Sequence, residues 1–162
     1  MSEQQSAPTI EELKSACDAN YAQVKSALDR LGNPLSDEKD EGGWSVKQLL
    51  SHLIGAMYRV PIHASFYFTG NGEAVPVIPI EAHNDYWIGE WADATTANYQ
   101  AALDLAYQGN LAFLAALDPA DLNRTGQTPF GEWPLGTMLQ ISYAGHPMGF
   151  HGEQLEAFLP AN

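Results

Sequence analysis

The sequence predicts an all-α fold, a four-helix bundle with a long crossover between its second and third helices. Three observations carry this reading. Apolar residues recur at three- and four-residue spacing in four separate segments. Capping signals stand at the starts of the first two segments. Strand patterns are nearly absent, and only residues 74–80, around the VPVIP run, could pair briefly. A chain of 162 residues suits one domain over residues 1–162, with residues 1–8 as a polar, flexible tail.

The first helix starts at a capping box, Thr9 with Glu12 three residues on. Ile10, Leu13, Cys17, Tyr21, Val24, Leu28 and Leu31 form its apolar stripe, and Gly32-Asn33-Pro34 stops it. The second starts at Ser45, with Gln48 as the box partner and Trp44 and Leu49 as a hydrophobic staple. Its stripe runs through Leu49, Leu50, Leu53, Met57, Val60 and Ala64 to Phe68. Pro61 lies inside that stripe and is expected to kink it. Residues 73–84 read as an extended crossover. The third helix starts between Ile80 and Asp93 and has its body from Thr95 to Leu117, ended by Asp118-Pro119. Residues 118–134 read as a turn-rich connection. Trp133-Pro134-Leu135 opens the fourth helix, with Pro134 suited to the first helical position.

Seven basic residues against twenty acidic ones give a net charge of −13. That balance argues against nucleic acid and against anionic membrane surfaces, whose binders neutralise phosphates with a basic patch. The acidic run Ser36–Glu41 reads as a solvated loop. No apolar run is long enough to span a membrane. The polar start MSEQQSAPT lacks a signal-peptide pattern, and a lone cysteine forms no internal disulfide, so a cytoplasmic location is expected. Cys17 shares the first helix's apolar stripe, which favours a small buried residue over a reactive thiol.

The chemistry-bearing candidates are histidines. His52 falls on the inward side of the second helix, in GGWSVKQLLSHLIG. Alone it reads as a hydrogen-bonded core residue. His146 and His151 lie in YAGHPMGFHGEQLEAF, five residues apart, which in a regular α-helix sets them about 140° apart. The apolar register argues for an irregular turn between them. Leu135, Leu139, Ser142 and His146 share a face that, continued unbroken, would carry Gly149, Glu153 and Glu156. A one-residue skip near Pro147 instead brings Phe150, Gln154, Ala157 and Phe158 onto that face, with His151 beside them. A π-bulge is such a skip, and it makes His146 and His151 equivalent to an i, i+4 pair. His52, His146 and His151 are therefore a candidate three-histidine metal site. With no fourth protein ligand, such a site keeps open positions for water or substrate. His63, three turns beyond His52, lies too far away to join, and His83 is expected in a solvent-facing loop.

GGWSVKQLLSHLIG resembles the tryptophan-to-histidine signature of the DinB/YfiT-like superfamily, and HGEQLEAF resembles its last-helix ending, where a histidine precedes x-x-Q-L/I. The departure is at Pro147, which stands four before His151 where the family places a histidine or a glutamate. The resemblance implies an up-down-down-up bundle, often a homodimer. It also implies a divalent metal, commonly nickel or zinc, held by three side chains, here His52, His146 and His151. Relatives include transferases that use low-molecular-weight thiols and a thiol-dependent maleylpyruvate isomerase. The expected function is thus a divalent-metal-dependent hydrolase or thiol S-transferase acting on a small molecule. The competing expectation is a metal-free bundle that binds a small ligand or a protein partner.

Overall fold

A computed structural model describes residues 7–32, 35–40, 42–69, 80–128 and 131–160. Its helices are α1 (Ile10–Arg30), α2 (Val46–Thr69), α3 (Ile80–Glu90), α4 (Thr96–Ala116), α5 (Leu135–Gln140) and α6 (Gly152–Ala157). A ten-residue π-helical segment, Ile141–Phe150, joins α5 to α6. A short antiparallel hairpin, β1 (Thr125–Thr128) and β2 (Gly131–Pro134), precedes α5, with Thr125 opposite Pro134 and Thr128 opposite Gly131.

Local chemistry sets the helix starts where the sequence puts them. Thr9 and Glu12 bond reciprocally, the Thr9 amide to the Glu12 carboxylate at 2.7 Å and the Glu12 amide to the Thr9 hydroxyl at 3.2 Å. Ser45 and Gln48 repeat the exchange at 2.9 and 3.3 Å. A third box, Thr95 with Asn98, opens α4. Before α2 Lys39 bridges Ser45, and a turn at Gly42 and Gly43 is closed by the Asp40 amide on the Trp44 carbonyl at 2.8 Å. Gly43 takes φ +81° in that turn, a value a side chain would strain.

The core forms where α1 and α2 pack on α4 and the π segment packs on α1 and α2. Leu28, Leu50, Leu53 and Leu103 fill one part of it; Leu13, Leu114, Leu139 and Tyr143 fill the other. Each of these large side chains is essentially inaccessible, and burial of each contributes roughly 1.5–3 kcal/mol. Cys17 belongs to the second part, fully buried, and burial pushes its thiol up to about 12, so it stays protonated.

α2 carries Pro61 inside its span. Several expectations change. The region before α4 is not all crossover: α3 occupies 80–90 and lies on α2. It can approach closely because Gly55 has no side chain; a Cβ there would sit 2.7 Å from Trp87 Cγ. Residues 74–79, read as a possible strand, lie outside the described residues, as do residues 1–6 of the expected tail. Pro8 packs against Gly136. The turn-rich stretch contains a hairpin, and Pro134 is the cap before α5, whose first residue is Leu135. Among the described residues, no helix is long and apolar enough to cross a membrane.

Candidate metal centre

Three helical elements deliver three imidazoles to one point. His52 comes from α2 and is buried; His146 comes from the π segment; His151 is the residue between that segment and α6. One ring nitrogen from each lies within 4.8 Å of the other two. The ring centroids form a near-equilateral triangle, at 4.8, 4.9 and 4.9 Å. The π geometry makes this possible. Its i to i+5 hydrogen bonding stacks residues five apart over one another, so His146 and His151 face the same way instead of diverging.

Partners outside the triangle orient two of the three rings. His52 Nδ1 donates to Asn84 Oδ1 at 2.8 Å, which leaves the lone pair on Nε2. His151 Nδ1 meets Gln154 Oε1 at 2.8 Å. The same amide donates through Nε2 to the Asp40 carboxylate, which can only accept, so Oε1 is held toward the histidine. His151 Nδ1 must therefore be the donor, which leaves Nε2 as the nitrogen that can ligate. Asp40 is itself anchored by the Trp44 amide at 2.9 Å. The Trp44 ring stands edge-on to His52 and stacks on His151, walling one side.

The donor set fits a divalent ion. His52 Nε2 and His146 Nε2 are only 2.9 Å apart, so two lone pairs would repel unless a proton or a cation lies between them. Burial holds both rings neutral, pushing His52 down to about 4 and His146 to about 3; the nearby imidazoles and Arg59 add to the shift. Neutral imidazole is the form that ligates. His146 Nδ1 is buried with no partner. The three histidines are the one group of histidine, cysteine, aspartate or glutamate side chains, among the described residues, close enough to share an ion. A cavity of about 440 Å³ opens beside His52 and His146 and is lined largely by apolar side chains, including Val60, Trp133, Met138 and Ile141.

His63 stays outside the triangle and lines that cavity. His83 is not in a solvent-facing loop: it sits on α3, half-buried, with its ring 5.2 Å from that of His63. Sequence reasoning missed Asn84 and Asp40. Asp40 was part of an acidic run read as solvated, and nothing local to Asn84 marks it. Gln154 was visible in the last-helix motif, without its role.

A helical bundle that gathers three histidines beside an apolar cavity defines a class: helical proteins with a site that could hold a divalent metal. The chain belongs to the DinB superfamily, whose family profile matches residues 16–148. No curated protein matches it in sequence. Solved structures share the fold. The colibactin self-resistance protein ClbS, in complex with double-stranded DNA, is 21% identical over 94% of this chain and 97% of its own, with a TM-score of 0.70. An uncharacterised protein from Clostridium difficile 630 is 10% identical over 95% and 97%, with a TM-score of 0.73. A mutant of the mycothiol-dependent maleylpyruvate isomerase is 15% identical over 84% of this chain and 57% of its own, with a TM-score of 0.65.

The ClbS complex corrects one expectation. Net charge excluded nucleic acid in the sequence reading, yet a protein of this fold is held against duplex DNA. The exclusion does not stand. Net charge sums the whole surface, whereas phosphate contacts need only a local patch.

Proposed function

We propose that this protein is a divalent-metal-dependent enzyme of the hydrolase or thiol S-transferase type, with His52, His146 and His151 as ligands to nickel or zinc. The observation that carries this reading is the convergence of three imidazoles, with no fourth ligand among the described residues, beside an apolar cavity. Closed structural sites are typically four-coordinate, whereas catalytic ones keep a position open. When bound, the ion supplies Lewis acidity toward a water or a thiol. The chain's own residues do the rest. Asn84 and Gln154 hold two of the imidazoles in the tautomer that points a lone pair inward. Trp44 shields two of the rings, and the cavity walls exclude bulk water from a bound substrate. The lone buried cysteine supports a cytoplasmic setting.

Elemental analysis of the purified protein tests the reading. About one nickel or zinc per chain is expected, with loss of most of it in His146→Ala and His52→Ala. A folded wild-type chain that holds no divalent ion after dialysis against either metal would reject it. The second reading, a metal-free bundle binding a small ligand, is favoured by the cavity's volume and apolar walls. It is the one that survives that result.

A further inference from the structure

A glycine inside a helix needs a reason, because alanine there is more stable. Gly55 and Gly136 have one in close packing: a Cβ would sit 2.7 Å from Trp87 on the first and 3.0 Å from Pro8 on the second. Gly145, in the π segment, has no such reason. Its φ is not positive, so its backbone suits any residue. Beyond its own helix backbone, the described atoms within 4 Å of a Cβ there are Ile141 Cγ2 at 3.8 Å and Ile141 Cβ at 4.0 Å. That is ordinary contact, and an alanine would fit.

What the missing side chain leaves open is the cavity. Gly145 lines it one residue before His146, and Ala56 lines it four residues after His52. Two of the three histidines thus have a wall position close by that carries little or no side chain. The wall also offers few unused polar atoms. The Thr128 hydroxyl donates to the Gly131 carbonyl at 2.8 Å, the Ser142 hydroxyl meets the Met138 sulfur at 3.4 Å, and Arg59 has interactions of its own. Burial pushes His63 down to about 4, so it is uncharged at neutral pH. No acidic side chain is among the described lining residues.

We propose that Gly145 and Ala56 set the size limit of a substrate slot beside the histidine triangle, and that the slot takes an uncharged, largely apolar small molecule. A cavity of about 440 Å³ is in the range of sites for drug-sized ligands. A charged ligand would lose its hydration against walls that do not replace it. The inference deepens the proposed function: that the bound molecule reacts rests on that reading, and that it binds here does not.

The probe is N-phenyl-1-naphthylamine, an uncharged dye whose emission rises in apolar surroundings. Its charged twin is 8-anilinonaphthalene-1-sulfonate. Both are titrated into the full chain in about 0.3 M salt, which screens the net charge of −13. The neutral dye is expected to bind about tenfold tighter than the sulfonate. Gly145→Ala should weaken it several-fold and melt no lower than wild type; Gly145→Val should weaken it further. Ala56→Leu, which fills the slot from α2, should act like Gly145→Val. Gly109→Ala, at an exposed glycine of α4 where a Cβ meets nothing within 4 Å, should leave binding unchanged. If circular dichroism shows Gly145→Val unfolded, Gly145→Ala and Ala56→Leu decide. Unchanged affinity in those two, no binding of the neutral dye, or binding of the sulfonate as tight or tighter overturns the inference, whether or not the chain holds an ion. So does a clearly lower melting point for Gly145→Ala, which would give the glycine a structural reason. Size-limited binding in a chain that holds no ion keeps the slot and rejects the metal reading.

Discussion

The side-chain amide of Asn110 donates to the Met57 carbonyl at 2.9 Å, and that carbonyl is the one Pro61 leaves without a helical donor. Asn110 is fully buried on α4. Its second amide contact is to the Ala106 carbonyl at 2.7 Å, and its oxygen accepts from the Tyr143 hydroxyl at 2.7 Å. One side chain thus repairs the backbone gap in α2 and anchors the π segment that carries His146. This is how α2 continues through a proline: the missing bond is replaced from the neighbouring helix.

Asn110→Ala is expected to cost about 2–4 kcal/mol, since it strands the Met57 carbonyl and the Tyr143 hydroxyl in the core. Urea unfolding measures it. In a Pro61→Ala background the helix regains its own donor to Met57, so the same substitution should cost measurably less. Equal costs in both backgrounds would show that the Asn110–Met57 bond does not serve the proline gap.

The partners behind the imidazoles should matter for metal and not for folding. Asn84→Ala and Gln154→Ala are each expected to weaken metal affinity about 10- to 100-fold. Asp40→Asn should do less, because an asparagine still offers Gln154 an acceptor but no longer dictates which end of the amide faces His151. Competition with a chromogenic chelator gives the affinities, and melting of the chelated proteins should stay near wild type.

Gly55→Ala is expected to push α3 off α2. The new methyl would collide with the Trp87 ring, and overpacking of this kind costs about 1–3 kcal/mol. Because Asn84 rides on α3, metal affinity should fall with stability. Adding Trp87→Ala should relieve the collision. A Gly55→Ala protein with unchanged metal affinity would separate α3 from the site.

In the chelated protein, acid should destabilise well before the carboxylates titrate. His52 and His63 are pushed down to about 4 and His146 to about 3, all mainly by burial, from an ordinary value of 6.5. Between those values the unfolded chain binds protons that the folded chain refuses. The associated stability is therefore fully present above about pH 6.5 and drains away as pH falls toward 4. Denaturant midpoints across that range should show the slope, and His146→Phe should reduce it. A flat profile would mean that the buried rings already carry protons.

How much of this was legible is a matter of range. Thr9 with Glu12 and Ser45 with Gln48 are contacts three residues apart, and the helix starts they mark are where the structure has them. The skip between His146 and His151 was also readable, because the apolar register before and after Pro147 only agrees with one residue removed. The hairpin was not. Thr125–Thr128 and Gly131–Pro134 contain no apolar alternation; the pairing ends at Thr128, whose hydroxyl donates to the carbonyl of Gly131, itself at φ +117°. Asn84 and Asp40 were out of reach for another reason. Each acts on a residue 32 or 114 positions away, and no local pattern encodes such a pairing.

A residue inserted into an α-helix ordinarily turns everything beyond it by about 100°, which would swing His151 off the face that carries His146. Here the widened turns of Ile141–Phe150 take up the surplus residue as hydrogen-bond pitch, so the imidazole after it arrives unrotated. Helix pitch is thus a second way to measure out a ligand set, interchangeable with sequence spacing. Deleting one residue between His146 and His151 should return the segment to ordinary α pitch with both rings still aimed at His52. Two chain lengths would then solve one geometric problem, and a scan for ligands that insists on a fixed interval would find only the shorter.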